Sequence, residues 1–213
     1  DVLNEAARFI DTPMAGFKLV VNGHDTVGLF VGDTESAWSR AADLSAEVNI
    51  VYRDRRFQTV VADMPEMYDE LWTAGKGMYK LEPIIADGGK LIIYSPHLDR
   101  ISDTHGEAIR KAGYHVRDYF LAHEKALEGV SRLVMAHCAH VKGVGTYENG
   151  VEEPRVDVNL ATGIPEEVCR EITLGYVDPD SIDLTDYADR EDEGVLLVRE
   201  AGEQVYRVRE EMN

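Results

Sequence analysis

Lys76 is flanked by glycine on both sides, in Trp72-Thr73-Ala74-Gly75-Lys76-Gly77-Met78, just after a strand-like run has ended. Open α/β sheets receive anionic ligands where a strand ends and a helix begins, so a cation placed there reads as an anion contact. The flanking glycines allow a ligand or a second backbone to come close, and each costs a helix about 1 kcal/mol. The other candidates are histidines: His97, His105, His115, His123, His137 and His140. His97 and His137 each follow an apolar run read as a strand, which places them where ligand-facing residues of such sheets sit. The close pair in His137-Cys138-Ala139-His140 follows Leu133-Val134-Met135, which reads as extended. Positions three apart on a strand point to opposite faces, so no shared metal is expected, whereas on a helix the two would converge. Cys138 and Cys169 have no local feature that would lower a thiol pKa, and they read as small core or loop residues.

Several bland readings compete. Asp63, Glu66 and Asp69 surround the start of the Lys76 segment, where a helix dipole favours acids by about 0.3–1 kcal/mol each. Trp72 reads as core packing. No Gly-x-Gly-x-x-Gly follows a strand and no Gly-Lys-Ser/Thr loop exists, because Gly77 follows Lys76; a dinucleotide or P-loop site is not expected.

The 213 residues suit one domain, and 44% hydrophobic residues argue for a folded core. Forty acidic against 22 basic residues give a net charge of -18, which opposes a phosphate backbone and argues against a nucleic-acid partner. The same acidity suits ordinary solubility or a salt-tolerant source, and it makes Lys76 and Lys142 conspicuous as local cations. Two cysteines cannot make a disulfide framework, so a cytoplasmic location is expected. No run is long and apolar enough for a bilayer, and the first residues lack the apolar stretch of a signal peptide. A chain beginning at Asp1 fits a processed protein, a piece of a longer one, or a separate domain.

These residues need a scaffold. Leu3 to Ile10 has helical spacing, and Lys18–Asn22 with Thr26–Val31 reads as a hairpin around Asn22-Gly23-His24-Asp25. Asp33 or Thr34 caps a helix to about Glu47. Val48–Tyr52 and Phe57–Val61 read as strands, the second continuously apolar like a buried parallel strand. After the loop Asp63–Glu66, a helix carrying Lys76 is expected to reach Ile85 and stop at Asp87-Gly88-Gly89. Leu91–Tyr94 is a strand, Thr104–Ala112 and Arg117–Leu127 are helical, Arg132–Ala136 is strand-like, and Val156–Ala161 alternates as a strand. Pro165 opens a short helix to Glu171. Thr185–Glu193 reads as a solvated acidic connector, and Val195–Arg199 with Gln204–Val208 as a second hairpin. The sum is a single α/β domain over residues 1–213: a mostly parallel, three-layer, Rossmann-like sheet with antiparallel hairpin additions, residues 180–213 forming a tail with a hairpin.

The segment Asp157-Val158-Asn159-Leu160-Ala161-Thr162-Gly163-Ile164-Pro165-Glu166-Glu167 resembles the lactate racemase family, as do Cys169-Arg170 and Leu174-Gly175-Tyr176-Val177-Asp178-Pro179. Lys76-Gly77-Met78, Gly88-Gly89 and Leu91–Tyr94 fit the same pattern, and Ser95-Pro96-His97 and Gly113–Phe120 resemble a subgroup of it. The likeness runs from about Asn4 to Pro179. It implies the carboxyl-terminal domain of a two-domain isomerase that racemises or epimerises a 2-hydroxy acid by hydride transfer through a nickel-pincer nucleotide. The missing amino-terminal domain would carry the cofactor's main anchors, the nickel ligand and the acid/base histidines, and this chain alone would be inactive. The family's Gln-x-x-Lys-Gly element places its lysine on Lys76 and its glutamine on Thr73, a departure that leaves the choice of hydroxy acid open. Lys76 is then the expected catalytic and cofactor-contacting residue, and Thr73, Lys76, His97 and His137 the expected substrate contacts, with no metal ligand in this chain. A stand-alone module that binds a hydroxy acid or other small anion without chemistry is the alternative, and a surface for a partner domain a third.

Overall fold

A computed structural model of the chain describes residues 2–209, apart from the side chain of Leu3. Residue 1 and residues 210–213, the ends of the expected domain and tail, lie outside the described residues. The chain divides into two compact units, residues 1–51 and 52–213.

The first unit holds α1 (Val2–Arg8), β1 (Gly16–Asn22), β2 (Asp25–Gly32) and α2 (Thr34–Asn49). β1 and β2 form the expected antiparallel hairpin. Asp33 is the cap of α2: its carboxylate accepts from the Ser36 N–H at 2.9 Å and is held below the usual carboxylate range chiefly by that bond. β3 (Ile50–Arg53) carries the chain into the second unit.

The second unit is built on β4 (Phe57–Asp63), β5 (Ile85–Ser95), β8 (Asp157–Thr162), β9 (Gly175–Val177) and β10 (Val195–Val198). Among the described residues these form one parallel sheet in the order β10-β4-β5-β8-β9. Both faces are apolar, as a covered parallel sheet requires. Val61, Ile92 and Ala161 share one face and pack with Ile182, Leu184, Tyr187 and Leu197. Val60, Leu91, Ile93 and Leu160 alternate to the other face and are fully buried. Between the strands run α3 (Leu71–Ala74), α4 (Lys76–Tyr79), α5 (Gly106–Ala112), α6 (Arg117–Ala122), α7 (Arg132–Lys142) and α8 (Glu166–Glu171). A small hairpin of β6 (Gly145–Glu148) and β7 (Val151–Pro154) precedes β8, and β11 (Val205–Val208) closes the described chain. No described helix is long and apolar enough to cross a membrane.

Five expectations need correction. Arg132–Ala136 is the start of α7, not a strand. Ser131 caps α7 by accepting from the Leu133 N–H at 3.2 Å, and Gly143 ends it at φ 88°. Val134, Cys138 and Val141 form its buried stripe at helical spacing, and that packing overrides the local extended look of Leu133-Val134-Met135. The single helix expected to reach Ile85 is instead two one-turn pieces and a 3-10 turn, Glu82–Ile84. Gly88-Gly89 is not a helix stop but an irregularity inside β5. There the register against β4 jumps from Phe57↔Ile85 to Thr59↔Lys90, and the Gly88 N–H donates to the Arg155 carbonyl. The hairpin expected after Glu193 does not form. β10 is apolar on both faces, so it is buried as a parallel edge beside β4, while β11 lies outside that sheet. Finally, the acidic connector Thr185–Glu193 is only partly solvated, because its Tyr187, next to Leu184 just before it, packs on the sheet. The hairpin β6–β7 had no expectation at all.

Candidate functional site

The crossovers from β4 to β5, β8 and β9 all step one way, and β10 returns to the opposite edge. The carboxyl ends of β4 and β10 are therefore where the strand order reverses, the position at which open α/β sheets hold ligands. Lys76 follows β4. Its two glycines do packing work. A Cβ on Gly77 would stand 2.9 Å from the Met64 sulfur, and one on Gly75 would stand 2.6 Å from Val141 Cγ2 and 3.3 Å from His137 Cε1. Without side chains there, α3 and α4 fit closely against the end of β4 on one side and α7 on the other. Of the two readings of these glycines, neighbouring protein already fills the approach.

Lys76 reaches the wall of an open depression of about 470 Å³, lined also by Trp72, Thr73, Tyr79, Leu133, Ala136, His137 and His140. Its ammonium lies 4.8 Å from the centroid of the Tyr68 ring, a cation–π distance. The Tyr68 hydroxyl donates to Glu203 at 2.6 Å, and burial followed by this carboxylate raises its pKa. Lys80 donates to the Glu203 carbonyl at 3.0 Å, and burial, then the charge of Lys76, lowers its pKa. The tail after β10 thus braces this corner: the Ala201 N–H donates to the Asp63 carbonyl, and Arg199 pairs with the Asp63 carboxylate at 3.1 Å.

The structure brings Lys76, Thr73 and His137 together and leaves His97 apart from them. Thr73 Oγ donates to the Glu70 carbonyl at 2.9 Å, leaving its oxygen free to accept. His137 stacks on Trp72 at 3.8 Å between centroids, and His105 lies against the same indole at 4.2 Å. His137 Nε2 is buried without a hydrogen-bond partner. Burial first, then the neighbouring His140 and His105, push its pKa down to about 4, so the ring is neutral near pH 7. His97 does not line the depression; its Nε2 lies 3.0 Å from the Tyr68 carbonyl and steadies the loop after β4. Lys142, the other conspicuous cation, is committed to the fold: its ammonium donates to the Thr173 carbonyl at 2.8 Å.

The sequence favours His97 and His137 over His140, gives no reason to single out Tyr79, and makes Trp72 read as core. Because α7 is helical, His137 and His140 fall on one face, three residues apart, and both border the depression. Helical spacing of Val134, Cys138 and Val141 was the signal that would have placed them. Among the described residues no three His, Cys, Asp or Glu side chains gather as a metal site. Both thiols are buried, their pKa values pushed up by burial to about 12 for Cys138 and about 11 for Cys169.

No protein-family model matches this chain, and no curated protein does. Solved structures do. A protein from Thermotoga maritima, solved in a structural-genomics programme, superposes with a TM-score of 0.85 at 34% identity, over 98% of this chain and 53% of its own. The apoprotein of lactate racemase from Thermoanaerobacterium thermosaccharolyticum superposes with a TM-score of 0.61 at 17% identity, over 92% of this chain and 46% of its own. The chain is thus an α/β protein with a lactate-racemase-like fold. It spans about half the length of each of these neighbours.

Proposed function

We propose that this chain is the substrate-side, carboxyl-terminal half of a two-domain enzyme that inverts C2 of a 2-hydroxy acid. The observation that carries the reading is Lys76, a cation in an acidic protein, held in an open depression where the sheet order reverses. Two points support it: the lactate-racemase-like fold, and the fact that this chain spans only half of each neighbour.

In this reading the Lys76 ammonium holds the substrate carboxylate, or the alkoxide that develops at C2, by a charge-assisted bond. The Thr73 oxygen and the exposed His140 offer further polar contacts, and the Trp72–His137 stack supplies an aromatic wall. His137 takes part as a neutral ring, its Nε2 buried without a partner and its pKa lowered to about 4 by burial. The nickel-pincer nucleotide that the resemblance implies finds no nickel ligand set among the described residues of this chain. The second half would have to bring that chemistry and close the open side of the depression.

The test uses the longer polypeptide that includes this chain, assayed by chiral detection for inversion of lactate and malate. Replacing Lys76 with Ala should lower kcat/KM by about 10²–10³, as loss of one transition-state donor does, with Arg restoring part of it. A Lys76→Ala enzyme that inverts at the wild-type rate overturns the assignment. Micromolar lactate binding by the 213-residue chain alone, with no inversion by the longer polypeptide, would favour a stand-alone binding module.

A further inference from the structure

The hairpin of the first unit is inside out. Strand alternation puts Phe17 and Leu19 of β1 on the same face as Leu29 and Val31 of β2, with Phe17 paired to Val31 and Leu19 to Leu29; Val21 and Val27 sit at the bulge beyond Val20 and continue the exposed apolar strip. These six are between 42% and 70% exposed. The opposite face is the one covered by α2: Val20 is buried, Arg40 lies over the Phe30 ring at 5.2 Å, and Gly28 makes room for Leu44. A solvated face of an antiparallel sheet is normally polar, and a two-stranded sheet needs cover to be stable. Six side chains of this size expose roughly 600 Å², the upper end of what monomers show.

We propose that this face is a docking surface for the half of the longer polypeptide that this chain does not span, which seats its own apolar layer on the hairpin. The inference rests on the two-domain reading and adds to it where the second half attaches. Two observations favour that occupant. The Thermotoga maritima structure matches 98% of this chain, hairpin included, yet only 53% of its own length, so a comparable amount of polypeptide remains to supply the cover. A second copy is a poorer occupant. Face to face it would bury about 1,200 Å² in total, the lower limit for a stable complex, between chains that each carry a net charge of -18. A tethered partner benefits from millimolar effective concentration and needs less area.

Hydrogen exchange across residues 17–31, together with binding of the dye anilinonaphthalene sulfonate, tests this in the 213-residue chain and in the longer polypeptide. The shorter chain should be monomeric, bind dye, and exchange the hairpin at least 100-fold faster than the longer polypeptide, which should bind none. The double substitution Leu19→Lys with Leu29→Lys should abolish dye binding by the shorter chain and remove protection in the longer one. The milder pair Leu19→Gln with Leu29→Thr gives the same reading if the lysines prevent folding. A dimer of the shorter chain that these substitutions disperse would assign the face to a second copy and overturn the proposal. A shorter chain that is monomeric, dye-free and already protected would overturn it too. Neither readout depends on Lys76, so a wild-type rate for Lys76→Ala defeats the catalytic reading and leaves this one standing.

Discussion

Protonating His137 should destabilise the fold, by an amount that follows from its surroundings. The imidazole is stacked on Trp72 with Nε2 buried and unpartnered, and burial with nearby His140 and His105 lowers its pKa from 6.5 to about 4. A folded-state pKa below the unfolded one means that the unfolded chain binds the proton more tightly. Stability is therefore full above pH 6.5, falls as pH drops from 6.5 to 4, and levels off below. At 1.36 kcal/mol per unit, the loss specific to this group is about 2 kcal/mol by pH 5 and about 3 kcal/mol by pH 4, upper figures for a ring that is not fully enclosed. Urea denaturation of the wild type and of His137→Phe, from pH 4 to 8, isolates the effect from the many carboxylates, since those titrate in both proteins. Phe keeps a ring against Trp72 and removes the titration. The difference in stability between the two should shift by 2–3 kcal/mol across the range, against the wild type in acid. A pH-independent difference, or a His137 ring proton that titrates near 6.5 in the folded protein by NMR, would refute the argument from burial.

Two other measurements probe the same corner. Gly75→Ala should cost about 1–3 kcal/mol in urea denaturation, because its Cβ would press on Val141 Cγ2 at 2.6 Å; adding Val141→Ala should return part of the loss. With the Cys138 and Cys169 pKa values raised by burial to about 12 and 11, both thiols of the native chain should react with a disulfide reagent at pH 8 at least 100-fold more slowly than after unfolding in urea. Fast native labelling of either one would show that it is not enclosed.

How much of this was legible varies from element to element. The Asp33 cap, the first hairpin and the apolar strands around Phe57 and Leu91 are local features, and they stand as read. Lys76 was legible because a cation between two glycines is unusual anywhere, and rarer in a chain with 40 acidic residues. Of the residues beside it, Thr73 and His137 were expected as contacts, whereas His140, Tyr79 and Trp72 were not. Leu133-Val134-Met135 looks extended over three residues, and only the Ser131 cap with the longer spacing of Val134, Cys138 and Val141 marks the helix that turns His137 and His140 to one face. The Gly88-Gly89 pair signals positive φ, which serves a helix end and a strand irregularity equally well; only Arg155, from a distant part of the chain, selects the second.

Alternation of apolar runs with helical spacing was enough, without coordinates, to specify a parallel α/β sheet and to put a lysine at its carboxyl rim. That information is short-range: periodicity, capping and turn residues act over a few positions. Tertiary structure alone decided that β10 joins β4 instead of folding back, that the tail braces Tyr68 and Lys76, that Trp72 is a wall of the depression, and that one face of the first hairpin is bare. Each of those depends on which distant surface buries a given apolar residue. Burial is a property of the assembled chain, set by competition among all its apolar surfaces.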